Sequence, residues 1–475
     1  MKLKTLIIIL LITLTCFIAC KNVISPNENT YFGGVILNPN TNFVILKDTN
    51  NNTLDTLPLN NKNAFVHKFK AFSPGIYNFY DGLESQSVLI EKGDSLTFLL
   101  NTINFDESLT YSGVGSKKNN YLMDLYLENE SQEKFILKIS QLEPKLFSSK
   151  LDSLKKIKED KLINYQEKYD LSPTFLKVAE GNIKYHHYYC KEFYPFARFD
   201  KDEFEVFKDL DTSFYSYRKD IDYNNELLKN YKPYRSFLRF HFNNIALSSH
   251  FKHSRDSLYN IHSLHYNLDK FSLIDEKIKS ETIKNKLSFY YMMRFLNDSK
   301  DVDSFNAVLN AFNKVNLNSN NLEKASNIVN AYTRLKPGYL LPKVDVITKK
   351  DKVKALNSLI KRPTIIYFWS NKYTYHLIDA HKKAEELSTK YPEIDFIAIN
   401  ADYISSREQA EILQKNRLNY YNEYHFKNPE AAKDILAIRP INNVFIVDKD
   451  AKIVNPKANM FSINFEKQLL ELLNK

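Results

Sequence analysis

Pro363-Thr-Ile-Ile-Tyr-Phe-Trp-Ser-Asn-Lys-Tyr-Thr-Tyr-His376 places a buried strand at the threshold of a helix. Thr364 to Trp369 is an apolar, β-branched and aromatic run without alternation, which predicts a strand covered on both faces. Leu377, Ala380, Ala384 and Leu387 follow at helical spacing, and Tyr391-Pro392 ends that helix. Ile394-Asp-Phe-Ile-Ala-Ile-Asn400 supplies a second strand directly afterwards. A strand, a helix and a strand joined by short connections imply a parallel pair.

Outward from this unit, 475 residues lead to an expectation of about three domains. Hydrophobic residues make up 43% and aromatic residues 14%, enough for packed cores. The net charge of +10 comes from lysines dispersed among Asp and Glu rather than gathered on one face, so no nucleic-acid partner is expected. Only 9 glycines are present and none follows Gly338, so the turn Asp448-Lys-Asp-Ala451 must be made without one.

Met1-Lys-Leu-Lys4 is a basic start, and Leu6 to Leu14 is an apolar run too short to span a bilayer. Phe17-Ile-Ala-Cys20 resembles a bacterial lipobox. That resemblance implies a lipoprotein signal peptide over 1–19, with Cys20 acylated by diacylglycerol and palmitate-type chains. It also implies a tether over 20–29 and a membrane partner reached through the lipid, in the cell envelope on a periplasmic or surface face. Cys16 would leave with the signal, and Cys190 would then have no disulfide partner.

From 30 to 115, short strands broken by Asn, Asp, Pro and Gly predict a small antiparallel all-β sandwich or barrel. The strands are expected at 31–37, 42–47, 53–58, 64–69, 75–79, 87–90, 95–100 and near 109–112. From 116 to 337 the period becomes helical. One stripe is Leu151, Leu154, Ile157, Leu162 and Tyr165, a second is Ile283, Leu287, Tyr291 and Phe295, and a third is Phe305, Val308, Leu309, Phe312 and Val315. An all-α middle follows. The fold class expected is therefore multidomain, with an N-terminal all-β sandwich, an all-α middle and a C-terminal α/β domain over 338–475.

Ile365-Ile-Tyr-Phe-Trp-Ser370 resembles the strand of thioredoxin-like domains of the membrane-anchored thiol-disulfide oxidoreductase and peroxiredoxin-like type, where Phe-Trp-Ala-Ser-Trp-Cys-x-x-Cys enters the active-site helix. Leu340 to Thr348 resembles their entry segment. Arg439-Pro-Ile-Asn-Asn-Val-Phe-Ile-Val-Asp448 resembles the loop carrying their cis-proline, which makes Pro440 the cis-proline candidate. Val88 to Thr97 and Gly113 to Asn120 are similar to the N-terminal domain of unknown function that precedes such domains in bacterial lipoproteins, where it serves as a binding or spacer module.

Aligned on Trp369, the two family cysteines fall on Tyr373 and His376, and no cysteine follows Cys190. Dithiol exchange needs a thiolate to attack sulfur and a second thiol to resolve the mixed disulfide, and sulfenic acid chemistry also starts from a thiolate. The resemblance therefore implies a thioredoxin-like domain without its reaction, with Trp369, Tyr373 and His376 at degenerate active-site positions. A binding or scaffolding role toward a peptide or protein partner is the leading expectation, with no catalytic residue, metal or cofactor assigned. The rivals are a non-thiol reaction using His376 and Tyr373, and redox partnership through Cys190. At a helix N-terminus beside a cis-proline loop, free amides favour an anion and a neutral His376. Asp379 and His381 are expected to add little.

His186 and Cys190 lie four residues apart and could share a helix face, while His250, His253, His262 and His265 have ligand-like spacing. A metal needs three or four ligands, and no third is indicated for the first pair. Both groups are expected to be packing or solvated side chains.

Overall fold

The computed structural model describes residues 29–70, 73–198, 205–207, 210–253, 260–299, 301–419 and 421–474. The expected signal peptide, Cys16, Cys20 and the tether up to Glu28 lie outside the described residues. The chain divides between His241 and Phe242 into two compact units. The helical stretch expected as one domain over 116–337 is thus shared between them.

The first unit begins with β1 (Tyr31–Leu37), β2 (Phe43–Lys47), β3 (Thr53–Pro58), β4 (Ala64–Lys68), β5 (Gly75–Tyr80), β6 (Ser85–Ile90), β7 (Ser95–Asn101) and β8 (Thr110–Val114). They form two four-stranded sheets, ordered β4-β1-β7-β8 and β3-β2-β5-β6. Alternating burial along β2 and β7 turns one face of each strand inward. There Phe32, Phe79 and Phe98 pack together, the last two stacked at 4.8 Å. The pairing departs from the antiparallel expectation at one place, because β1 and β7 run parallel. Their partnership spans the strands of both sheets, and local alternation carries no information about the direction of so distant a neighbour.

β6 and β8 end their sheets, and two consecutive asparagines close both edges. Asn119 accepts from the Leu89 amide at 2.8 Å and donates to the Leu89 carbonyl at 2.8 Å. Asn120 does the same for Tyr111, at 2.8 and 3.0 Å. Each amide side chain thus stands in for a neighbouring strand. Next to them Lys118 is buried between Glu91 and Asp94, at 2.8 and 2.6 Å. The two stretches singled out in this region by sequence, 88–97 and 113–120, therefore meet in space. Asn119→Ala is expected to cost about 1–3 kcal/mol, since it strips a buried N–H and C=O of their partners. Hydrogen exchange at the Leu89 amide reads this directly, and unchanged protection would refute it.

Helices α1 (Ser116–Ser131), α2 (Glu133–Ile139), α3 (Pro144–Lys168) and α4 (Pro173–Ala197) complete most of this unit. The predicted stripe on α3 needs correction. Leu151 and Leu162 are buried, but Ile157 is 50% exposed and Lys158 is buried instead. Phe147, Leu151, Lys158 and Leu162 keep one face, and the lysine is tolerated there because its Nζ donates to Asn129 Oδ1 at 2.6 Å and Gln132 Oε1 at 2.9 Å. Helix α5 (Lys232–His253) carries the chain into the second unit.

The second unit continues with α6 (Leu264–Lys277), α7 (Glu281–Asp298), α8 (Phe305–Val315) and α9 (Ser319–Arg334). Ile283, Leu287, Tyr291 and Phe295 are all buried, as are Phe305, Val308, Phe312 and Val315. Then come β9 (Asp345–Thr348), β10 (Val353–Ala355), β11 (Thr364–Trp369), α10 (Thr374–Lys390), β12 (Asp395–Asn400), α11 (Ser406–Lys415), β13 (Glu423–Phe426), α12 (Pro429–Ile435), β14 (Val444–Val447), β15 (Ile453–Ala458) and α13 (Phe465–Leu473).

These strands make a seven-stranded sheet in the order β10-β9-β13-β12-β11-β14-β15. Every residue of β11 is buried. It pairs parallel with β12 and antiparallel with β14, which pairs antiparallel with β15. A βαβ unit followed by ββα around one central strand is a thioredoxin-like arrangement. Ile365, Tyr367 and Trp369 pack with Leu377, Ala380, Ala384 and Leu387 of α10 and with Phe465, Leu469 and Leu472 of α13. The turn without glycine is made by Ala451 at φ 58°, with Asp448 Oδ1 accepting from the Asp450 and Lys452 amides at 2.9 and 2.8 Å.

Candidate functional site

Register gathers three loops at one end of the sheet. Trp369 closes β11 opposite Asn400, Ile366 pairs with Phe445, and Val444 pairs with Ala458. The segments 370–373, 439–443 and 459–464 therefore leave the sheet together, beside the carboxyl ends of β11 and β12. Open α/β sheets place their ligands at this end.

The first loop is fixed by a carboxylate. Asp402, just beyond β12, accepts from Ser370 Oγ at 2.8 Å and from the Asn371 amide at 2.8 Å, while Ser370 Oγ accepts from the Lys372 amide at 3.2 Å. Tyr373 is the N-cap of α10 and contributes no side-chain cap, so the amides of the first turn are left to other partners. Tyr373 is 56% exposed and Tyr375 88% exposed. His376 is half-buried, and its pKa is lowered, chiefly by burial and then by His381, against Asp379. The expected neutral imidazole thus has burial as its leading cause. Asp379 is exposed.

The second loop holds Pro440, whose bond to Arg439 is cis. It is positioned from α9, a contact that sequence reasoning did not foresee. Tyr332 Oη donates to the Ala437 and Arg439 carbonyls at 3.3 and 3.4 Å, and Asn443 Nδ2 donates to the Arg439 carbonyl at 3.2 Å. On the third loop Phe461 is 48% exposed and Ile463 99%.

Three buried polar atoms near this end have no hydrogen-bond partner: His376 Nδ1, Asn400 Nδ2 and Asn442 Oδ1. Two of them sit on the second loop and on α10, and the third ends β12. Buried polar atoms are ordinarily paired, so each has hydrogen-bonding capacity that no described residue uses.

Beneath the helix start lies a polar cluster. Tyr367, Ala398 and Glu423 form one row across three strands on the α10 face. Glu423 Oε2 accepts from Trp369 Nε1 at 3.1 Å and Gln409 Nε2 at 3.2 Å, while Oε1 meets His381 Nε2 at 2.8 Å. His381 Nδ1 lies 2.7 Å from the Leu377 carbonyl, which can only accept, so Nδ1 donates there and Nε2 is left facing Glu423 Oε1. The expectation that His381 adds little is thereby corrected. Its place four residues after Leu377 puts it on the buried stripe of α10, a signal present in the spacing.

The remaining sequence candidates do not assemble. Cys190 is fully buried among Ile136, Ile139, Phe147 and Tyr194, its thiol pushed up to about 12 by burial above all. No hydrogen bond joins it to His186. His250 is buried, His262 and His265 are exposed, and the His253 side chain lies outside the described residues. Among the described residues no group of three or more His, Cys, Asp or Glu is placed to hold a metal ion, and no helix is long and apolar enough to cross a membrane.

No family model and no curated protein matches the chain. Among solved structures, a Bacteroides vulgatus protein assigned to the thiol-disulfide oxidoreductases covers 30% of this chain and 99% of its own, at 22% identity and a TM-score of 0.27. The thioredoxin domain of a thiol-disulfide oxidoreductase from the same species covers 29% and 97%, at 14% identity and 0.25. A thiol:disulfide interchange protein from Bacteroides sp. covers 26% and 81%, at 20% identity and 0.20.

Proposed function

We propose that this chain is an envelope lipoprotein, anchored through Cys20, whose thioredoxin-like region has no redox chemistry and holds an extended peptide or protein segment at the carboxyl end of β11. The observation that carries the reading is the set of unpaired polar atoms, His376 Nδ1, Asn400 Nδ2 and Asn442 Oδ1, near exposed Tyr373, Tyr375, Phe461 and Ile463. Apolar side chains exposed beside unsatisfied hydrogen-bonding groups match a ligand that brings both backbone amides and side chains. Tyr373 and His376 occupy the positions where exchange would need sulfur, and Cys190 is buried with a thiol too basic to ionise near neutrality.

The test uses two assays on the full-length protein. Insulin reduction by dithiothreitol is expected to run no faster with the protein than without it. Carboxymethylated insulin B chain, which is extended and has no free thiol, is expected to bind. Ile463→Asp and Tyr375→Asp change exposed side chains and should each weaken that binding by about tenfold, near 1.4 kcal/mol. Catalysed insulin reduction, or B-chain binding indifferent to both substitutions, refutes the proposal.

A further inference from the structure

We propose that a cleft in the first unit, between α1, α2, α4 and α5, is a binding site for a small, largely apolar organic cation of the arylalkyl-ammonium class. It is separate in sequence and chemistry from the loops described above. Its volume is about 320 Å³, at the lower end of small-ligand sites. Ile136, Leu137, Phe193 and Pro233 supply apolar wall, and Tyr126 and Tyr189 add aromatic rings. The Tyr189 and Phe193 rings lie parallel at 5.9 Å, both braced edge-on by Phe240 at 5.1 and 5.4 Å. That bracing fixes the aromatic wall before any ligand arrives.

The polar groups in the wall divide into those already engaged and those that are not. Lys232 is engaged, lying 4.4 Å over the Tyr126 ring and 3.2 Å from Glu130 Oε1, which also accepts from Tyr126 Oη at 2.5 Å. Behind them Lys158 is held by Asn129 and Gln132. His186, the Tyr189 hydroxyl, Ser236 and the Glu133 carboxylate line the same cleft and make no hydrogen bond or ion pair to any described residue. His186 is kept neutral, its pKa pushed down to about 3 by burial first and then by Lys158 and His187. The Tyr189 hydroxyl is pushed up to about 12, by burial first and then by Cys190 and Glu133.

Together these leave one carboxylate without an ion-pair partner, one neutral imidazole able to accept from an N–H, and aromatic faces that attract a cation. An ammonium group on an aromatic body satisfies all three. A carboxylate ligand would meet Glu133 with like charge, since Lys232 is already committed.

Isothermal titration of the full-length protein with tryptamine, 3-ethylindole and indole-3-propanoate tests the assignment, because the three share a ring system and differ in charge. Tryptamine is expected to bind about tenfold more tightly than either of the others, as a charge contact to Glu133 combined with the aromatic faces provides. Glu133→Gln, at an exposed position that does not endanger folding, is expected to erase that preference. His186→Phe is expected to weaken tryptamine further, while Tyr375→Asp, in the other unit, should leave it unchanged. Equal binding of the three compounds, an unaffected preference in Glu133→Gln, loss of binding in Tyr375→Asp, or no heat at millimolar tryptamine each overturns the proposal.

Discussion

Glu423→Leu is expected to lower the stability of the second unit by about 3–5 kcal/mol, the usual cost of removing one partner from a buried polar cluster. The Glu423 side chain is 1% exposed and the His381 side chain 6%. Leucine would leave Trp369 Nε1, His381 Nε2 and the Gln409 amide facing apolar atoms, each without its hydrogen-bond partner. Glu423→Gln keeps an acceptor for Trp369 and can donate to His381 Nε2, so it should lose less than half as much. Trp369 is the sole tryptophan and touches the substituted residue, so its fluorescence during urea unfolding reports this unit alone. A leucine variant within about 1 kcal/mol of the parent would mean that the cluster is not closed as described.

Glu192→Leu should have an effect of similar size in the first unit. The carboxylate is fully buried and meets His241 Nδ1 at 2.7 Å, Arg218 through Nε at 3.0 Å and Nη2 at 2.5 Å, and Tyr217 Oη at 2.8 Å. Burial alone would raise its pKa, but His241 and Arg218 outweigh burial and bring it from 4.5 down to about 2. A depressed carboxylate pKa means that the unfolded chain binds the proton more readily. The stability it contributes is thus complete above about pH 4.5 and is lost as the pH falls toward 2, about 3 kcal/mol in all. Leucine would remove this together with the acceptor for Arg218, about 3–5 kcal/mol near neutrality, and flatten the acid limb of the profile. Hydrogen exchange of peptides from 173–198 between pH 3 and 7 measures both. A parent whose protection does not fall with acid more steeply than that of the leucine variant would contradict the assignment.

The sequence made local order readable and distant partnership opaque. The strands of the sandwich announce themselves by alternation between Asn, Gly and Pro breaks, and Thr364–Trp369 by its unbroken apolar run. The parallel pairing of β1 with β7 leaves no such mark. The places of Trp369, Tyr373, His376 and Pro440 in the fold are legible because they lie on or beside the strand and loop that betray it. Those of Asp402, Glu423 and Tyr332 are not, since each reaches the site from an element distant in sequence and is an ordinary residue for its own segment. His381 is legible too, because its place four residues after Leu377 sets it on the buried stripe of α10. Ile157 and Lys158 show the opposite case, where hydrophobicity picked the wrong neighbour and two amide oxygens made the lysine the buried one.

Tyr332 also bears on where this chain can be cut. A fragment starting at Gly338, where the α/β pattern begins, would keep every strand of the sheet. It would nevertheless lose the hydroxyl that tethers the Ala437 and Arg439 carbonyls, and it would strand the Lys457 ammonium without the Leu296 and Ser299 carbonyls that receive it. The smallest excerpt that keeps the proline loop in place therefore starts well before the first thioredoxin-like strand, among helices that sequence alone would have trimmed away.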